Sequence, residues 1–377
     1  MMSEASVSIR LNPFKTPEGG FELPQGAQRV PWSPYGYMLS ERPSFTLDPL
    51  FHAGCYYVQD SSAMYVGHVF RKVLASRFAG ARGLRVLDLC AAPGGKSTDI
   101  SVSLREAFGD DFLLVSNEVM KQRAGVLQDN IMRWGDPRVT VTSCDPAAFA
   151  RLEGFFDIIV ADVPCSGEGM FRKDPRAREE WSPEVVKLCA ARQKRILADV
   201  WPSLREGGVL VYSTCTYEEC ENDENLEWAA SELGGEIIVP ENEYADCGVV
   251  QTRVGNLLEV GKVPGEGQWV GALVKTSASG SCRGSLQSAV RPFRQKEEGF
   301  DPDAPLSLDF DRSSCNCADV DKALALKYLH RDSIVLKDAP LGYNVITYKG
   351  VALGYVKNIG NRCNNLLPKS RRILMNV

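Results

Sequence analysis

The 377-residue chain has no run of roughly 18 uncharged apolar residues, the length a membrane-spanning helix needs. Its start, MMSEASVSIRLNPFK, lacks the apolar centre of a secretory signal, so a cytoplasmic protein is expected. Histidine is scarce, three in all, which leaves few of the usual zinc ligands, and no metal is expected. Positive charge is not in excess either. Lys and Arg number 43 against 48 Asp and Glu, a net −5, which excludes indiscriminate electrostatic attachment to nucleic acid. No internal repeat is visible. At 44% hydrophobic and 24% charged residues the chain is neither disordered nor fibrous.

Cysteine, by contrast, is plentiful. Twelve are scattered along the chain without a signal segment, a pattern of free thiols in a reducing compartment rather than of a disulfide framework. The length exceeds one ordinary core and implies two or three units. Charge is segregated among them. Residues Glu218 to Asp246 are heavily acidic, whereas no acid comes after Asp338 and the bases there are Lys349, Lys357, Arg362, Lys369, Arg371 and Arg372.

Residues 1–80, rich in Pro, Gly and aromatics before a helix-like run from Ala63 to Phe78, form an N-terminal accessory and RNA-binding region packed against the central domain. From Leu84 onward LRVLDLC, DFLLVSNEV, RVTVTSC, FDIIVADV and GGVLVYSTC alternate with longer segments. Short branched apolar runs at that spacing are parallel strands of a doubly wound α/β sheet over 81–277. GEIIVP and QWVGALVK add an antiparallel edge. A Ser- and Gly-rich linker is expected over 278–303. A basic, β-rich module over 304–377 uses DSIVLKD, GYNVITYKG and VALGYVKNI as strands, and Cys315 and Cys317 mark an exposed loop.

In LDLCAAPGGKSTDI a strand ends near Leu89 and a helix begins near Lys96. Ligands of open parallel sheets sit at such carboxyl ends, where glycines admit the backbone closely. Cys90, Ala91, Ala92, Pro93, Gly94, Gly95 and Lys96 are therefore read as a cofactor loop. CAAPGGKS nearly matches a nucleoside-triphosphate loop, but Cys90 stands where its first glycine belongs; a purely structural tight turn is the other alternative. Glu118, at the tip of the next strand, suits the two hydroxyls of a ribose, with Arg123 holding it in place, and Asp145 at the third tip suits an adenine amino group. For each acid alone, a helix cap is the plainer reading.

DVPCSGEGMF and YSTCTYEE end the fourth and fifth strands, bringing Asp162, Cys165 and Cys215 to the edge that carries the loop. One cysteine alone would be read as a small core hydrophobe. Two at adjacent tips beside an aspartate point to thiol chemistry, and spacing does not say which sulfur attacks. LDLCAAPGGKS, SNE, ADVPCSGEGMFRKDP and YSTCTYEECEN together resemble the Nol/Nop/Sun family of RNA cytosine-carbon-5 methyltransferases. SIRLNPFK, VPWSPYGYML and GYVKNIGNRCNNLLPKSRRI are similar to its RsmF-like bacterial branch.

The resemblance implies a Rossmann-like class I fold, S-adenosylmethionine as cofactor, and RNA, foremost 16S ribosomal RNA, as substrate. It assigns the nucleophile to Cys215 and product release to Cys165. Asp162 becomes the carboxyl at ring nitrogen 3, and Lys96 is counted with it in the catalytic set. Two departures stand out. The family's first helices before IRLNP are missing from this chain, and EVGKVPGEGQWVGALVK replaces a more aromatic, His-containing run, a change read as structural. Phe171, Arg172, Lys173, Arg176 and Trp181 offer stacking and phosphate contacts near the site, although an ordinary charged helix start would look the same. The acid-free C-terminal module is the main RNA anchor, the alternative being a solubilising tail. Nothing calls for more than a monomer.

Overall fold

The computed structural model describes residues 7–172, 175–278, 285–293 and 300–375. Strands β1 (Val7–Leu11), β2 (Gln28–Arg29), β3 (Gly36–Leu39) and β4 (Tyr56–Val58) form an antiparallel sheet in the order β2-β3-β1-β4. Helix α1 (Pro49–Ala53) precedes β4 and helix α2 (Tyr65–Arg77) comes after it. The central sheet then begins. β5 (Leu84–Asp88), β6 (Phe112–Asn117), β7 (Val139–Thr142), β8 (Phe156–Asp162) and β9 (Leu204–Thr214) are parallel, in the order β7-β6-β5-β8-β9. α3 (Gly95–Phe108) and α4 (Lys121–Trp134) make the first crossovers, and α5 (Pro175–Glu180) and α6 (Pro183–Val200) lie between β8 and β9. The chain leaves β5 to one side and returns on the other for β8, so the strand order reverses there. The carboxyl ends flanking that point form the crevice that holds ligands in open α/β sheets.

Why these strands read as unbroken apolar runs is plain from their packing. Val86, Leu114, Ile158, Val160, Val209 and Val211 face a core completed by α2 and α3. Their neighbours Leu87, Val115, Ile159, Ala161, Leu210 and Tyr212 face one completed by α6 and α7 (Asp223–Leu233). Period-two alternation persists, but both faces are covered. α2 is thus a layer of the catalytic core rather than part of an appendage, although its sequence places it before the boundary expected at residue 80.

β10 (Gly235–Ile238) and β13 (Gln268–Lys275) pair antiparallel as expected, yet β13 is an interior strand. One edge of it meets β9. The other is shared end to end by β12 (Gly255–Leu258), paired with Gln268–Gly271, and by β10, paired with Ala272–Lys275. β12 in turn pairs with β11 (Val249–Gln251). Of the linker expected over 278–303, residues 279–284 and 294–299 lie outside the described residues. The stretch between them is packed: it contains α8 (Leu286–Ala289), buries Val290 in the core, and bridges Pro292 to Thr142 at the end of β7.

The last sheet runs β14 (Cys317–Asp319), β15 (Gly342–Tyr348), β16 (Val351–Asn358) and β17 (Cys363–Asn365) in that order, with α9 (Lys322–Leu329) after β14. Two expectations are corrected here. Cys317 opens a strand parallel to β15 rather than a loop, and DSIVLKD contributes only a bridge from Ile334 to Cys363 because Val335 turns to solvent. This sheet shares one hydrophobic core with the first. Ile9, Leu11, Leu39, Phe45 and Tyr56 pack together with Val320, Tyr328, Ile346, Leu353 and Val356. Lys15, buried, donates to the carbonyls of Ala53 and Arg133 and pins the same junction to α4. No helix among the described residues is long and apolar enough to cross a membrane.

Candidate active site

β5 ends at Asp88 and the backbone turns through Cys90 to Gly95 before α3. Gly94, the N-cap, has φ 112°, a left-handed conformation that a side chain would strain. α3 has no side-chain cap, so its first amides are left for a ligand. The N-terminal sheet holds this loop from behind. Arg10 on β1, fully buried, donates to the Gly95 carbonyl at 3.1 Å and to Thr98 Oγ1 at 2.6 Å, and Tyr57 on β4 donates to the Pro93 carbonyl at 3.1 Å. Asp88 accepts from Ser97 Oγ at 2.6 Å, while its Oδ1 is buried without a partner among the described residues. Burial, with Asp162 and Glu118 nearby, pushes its carboxyl up to about 7 despite the Ser97 bond and Lys96.

The other two tips differ. Glu118 is buried, 3% exposed, accepts from the Met120 amide, and pairs with Arg123 at 3.2 Å; Arg123 also donates to the Ala92 carbonyl. Asp145 is exposed and caps a short 3-10 turn by accepting from the Ala147 amide. The plainer reading therefore describes one of its oxygens. Asn117 ties the three tips together, donating to the Leu89 and Cys144 carbonyls and accepting from Thr142 Oγ1.

Register brings the thiols together. Asp162 on β8 lies opposite Ser213 on β9, so the chains leaving the two strands run side by side, and Cys165 Sγ meets Cys215 Sγ at 3.2 Å. Lys96 Nζ reaches Asp162 Oδ2 at 2.9 Å, and Asp162 Oδ1 accepts from Ser213 Oγ and Gln268 Nε2. Burial pulls the Lys96 ammonium down, but Asp162, Cys215 and Asp88 more than offset it and leave it raised. The two sulfurs move apart in acidity. Cys215 is lowered by the Cys165 thiol and by Lys96, against burial and Asp162, while Cys165 is raised by its contact with Cys215, by burial and by Glu221.

The two loops are stitched to each other. Ser166 Oγ contacts Thr216 Oγ1 at 2.9 Å, Glu168 accepts from Thr216 Oγ1 and the Tyr217 amide, and the Gly169 amide donates to the Cys215 carbonyl at 2.7 Å. A Cβ at Gly169 would lie 2.7 Å from that carbonyl oxygen, so this approach requires glycine. Beneath them sit Glu221 and Gln193, both fully buried. Neither was singled out from the sequence, although a glutamine on the apolar stripe Val186, Cys189, Ile196, Leu197 and Val200 of α6 was a readable signal. Arg10 and Asn117 carried no such signal, since their partners are remote in the chain.

Several expected RNA contacts take other partners. Arg172 forms an ion pair with Glu266 at 3.0 Å and donates to the Gly265 carbonyl, so the replacement segment serves as its anchor. Phe171 lies under Arg178, Trp181 is half-buried, Arg176 is exposed, and Lys173 lies outside the described residues. Arg371 is buried against Asp303 at 2.5 Å, and Lys349 pairs with Glu22. Lys357, Arg362, Lys369 and Arg372 are exposed. Among the described residues no group of three or more His, Cys, Asp or Glu is arranged to hold a metal.

Three family models match the chain in order: the N-terminal domain of 16S rRNA methyltransferase RsmF over 1–61, 16S rRNA methyltransferase RsmB/F over 78–235, and the methyltransferase RsmF PUA domain over 315–373. The chain belongs to the RsmB/F family, in its RsmF-like branch. Ribosomal RNA small subunit methyltransferase F of Escherichia coli O157:H7 is 37% identical over 233 residues, covering 59% of this chain and 46% of that protein. The Pectobacterium carotovorum protein of the same name is 36% identical and 47% covered, so the chain spans just under half the length of these relatives. That of Cronobacter sakazakii is 29% identical, with 96% of this chain and 89% of that protein aligned. Among solved structures, a methyltransferase homolog protein from Pyrococcus horikoshii superposes with a TM-score of 0.58 at 25% identity, over 72% of this chain and 87% of that one. NSun6 from the same organism, solved with SFG, gives 0.52 at 24%, over 63% and 57%. The RsmB/F fold is therefore a Rossmann-like methyltransferase core, here flanked by the RsmF-type N-terminal sheet and a β-rich C-terminal unit.

Proposed function

We propose that this chain methylates carbon 5 of a cytosine in RNA, with S-adenosylmethionine as methyl donor and Cys215 as the attacking thiolate. The observation that carries it is the 3.2 Å contact of Cys165 with Cys215 beside the Lys96–Asp162 pair, all at the crevice of the sheet. Carbon 5 of cytosine is a poor nucleophile until a thiolate adds to carbon 6 and shifts electron density onto it. Lys96 and Asp162 share a proton between an amine and a carboxylate and lend it toward ring nitrogen 3 as negative charge gathers there. Once carbon 5 carries its methyl, loss of its proton and cleavage of the sulfur–carbon bond restore the aromatic ring. Cys165 assists that release.

The cofactor's chemistry suits the crevice. The unpartnered Asp88 Oδ1 and the uncapped first turn of α3 call for a ligand bearing both donors and acceptors. Loop Cys90–Lys96 would hold its amino-acid end, Glu118 its ribose hydroxyls and Asp145 its adenine amino group. S-adenosylmethionine supplies an electrophilic methyl on a sulfonium. In this reading 16S ribosomal RNA is the substrate, as the names of the family and the relatives suggest, and the exposed bases of the C-terminal unit grip its phosphates. The chain acts in the cytoplasm, as a monomer and without a metal.

The test is incubation with methyl-labelled S-adenosylmethionine and purified 16S ribosomal RNA, small subunits or transfer RNA. 5-Methylcytosine in 16S RNA, lost in Cys215→Ala, is expected. Product in transfer RNA alone would move the substrate, and RNA binding without any product would reduce the chain to an assembly factor.

A further inference from the structure

Gln193 and Glu221 bracket Cys165 from below. The Gln193 amide donates to the Pro164 carbonyl at 3.0 Å, just before the cysteine, and the Ser166 amide, just after it, donates to Glu221 at 3.1 Å. The two side chains are bonded to each other, Nε2 to Oε2, at 2.6 Å. Gln193 Oε1 is occupied as well, facing Tyr212 Oη at 3.1 Å and accepting from Asn225 Nδ2 at 2.7 Å, while the Tyr212 hydroxyl donates to the Glu221 carbonyl at 2.6 Å. Every polar position of the glutamine is thus used inside an apolar layer. Among the described residues Glu221 has no ion-pair partner, so its burial is compensated by the Ser166 and Gln193 donors alone. A polar network of this kind is costly unless it fixes one geometry.

What it fixes is the peptide on both sides of one sulfur. Cys215 is attached to β9, whereas Cys165 lies in a loop with no strand of its own. We infer that Gln193 and Glu221 are positioning residues that set where the Cys165 thiol stands relative to the Cys215–base adduct, and so govern release of the methylated RNA more than its methylation. The inference rests on the release role proposed above for Cys165.

Glu221→Gln keeps the shape but turns an amide donor toward donors, and Gln193→Met keeps the volume while deleting the bonds. Each variant, with Cys165→Ala as control, is mixed with 16S RNA and labelled cofactor. Denaturing gels read protein-bound RNA, and free 5-methylcytosine reads released product. Both variants should raise the ratio of bound to released methylated RNA, as Cys165→Ala does, while multiple turnover falls about tenfold to a hundredfold. A purely structural role would lower the melting temperature and depress both species together, leaving the ratio unchanged, and that result overturns the inference. If Cys165→Ala itself fails to trap RNA, the release role falls and the inference with it. If Cys165→Ala traps RNA while neither variant does at a temperature where both are folded, only the inference falls.

Discussion

Replacing Lys96 by methionine removes a cation 2.9 Å from Asp162 and keeps most of the side-chain volume. At that distance and an effective dielectric constant of about 20 the gross attraction is about 6 kcal/mol. Both groups retain some solvent, 16% and 28% of their side-chain surfaces, so the loss should fall below the 3–5 kcal/mol typical of a fully buried broken pair, at about 2 kcal/mol. The consequence for the thiol is more specific. Lys96 favours the Cys215 thiolate and Asp162 opposes it, so Lys96→Met should raise the thiol and Asp162→Asn should lower it. A shift of about one unit, roughly 1.4 kcal/mol, means tenfold less thiolate below the midpoint. The assay is iodoacetamide alkylation of Cys215, read by mass spectrometry from pH 6 to 10 in a Cys165→Ala background. Lys96→Met should move the midpoint upward and Asp162→Asn downward, although both impair methyl transfer. An unchanged midpoint in Lys96→Met would refute the electrostatic account of the nucleophile.

The same geometry sets three further outcomes. Glu118→Ala should weaken S-adenosylmethionine binding about tenfold or more by calorimetry, roughly 1.4 kcal/mol, with little change in RNA affinity. Arg371→Ala should destabilise the C-terminal unit by about 3 kcal/mol, because Asp303 is left buried without its partner; Lys357→Ala and Lys369→Ala, at exposed positions, should instead reduce the salt dependence of RNA binding by about one counterion each. Asp88 is held protonated by the fold to about pH 7, far above its unfolded value. The native state therefore binds more protons between those two values, and stability is lost as pH rises through 7. Asp88→Asn should raise the melting temperature at pH 8, and the gain should vanish toward pH 4.

The five parallel strands were legible because burial on both faces turns each into a branched apolar run, and their tips carried the glycine loop and both cysteines. Recognition of the family motifs then chose Cys215 over Cys165, a choice spacing alone left open. β11 and β12 were missed because GVVQ and GNLL are short, and because Asn256 is buried where an apolar residue was expected. The mistaken RNA contacts share one cause. Arg172 and Arg371 look like exposed bases in a linear reading, but their acids, Glu266 and Asp303, arrive from far along the chain. Gln193 was visible as a polar residue on an apolar stripe; what it braces depended on a loop from another strand.

The core shared by the first and last sheets also bears on how the protein is made. Ile9 and Leu11 leave the ribosome early, but Leu353 and Val356, which cover them, leave it near the end. Until then the nascent chain presents a greasy, half-built sheet while the central strands between are already able to assemble, since each pairs with neighbours synthesised before it or soon after. Closure of the two ends is therefore the last event of folding, and because Arg10 on β1 reaches the Gly95 carbonyl, it is also the event that braces the cofactor loop. Methyltransferase competence arrives with the final stretch of chain rather than with the domain that holds the cysteines.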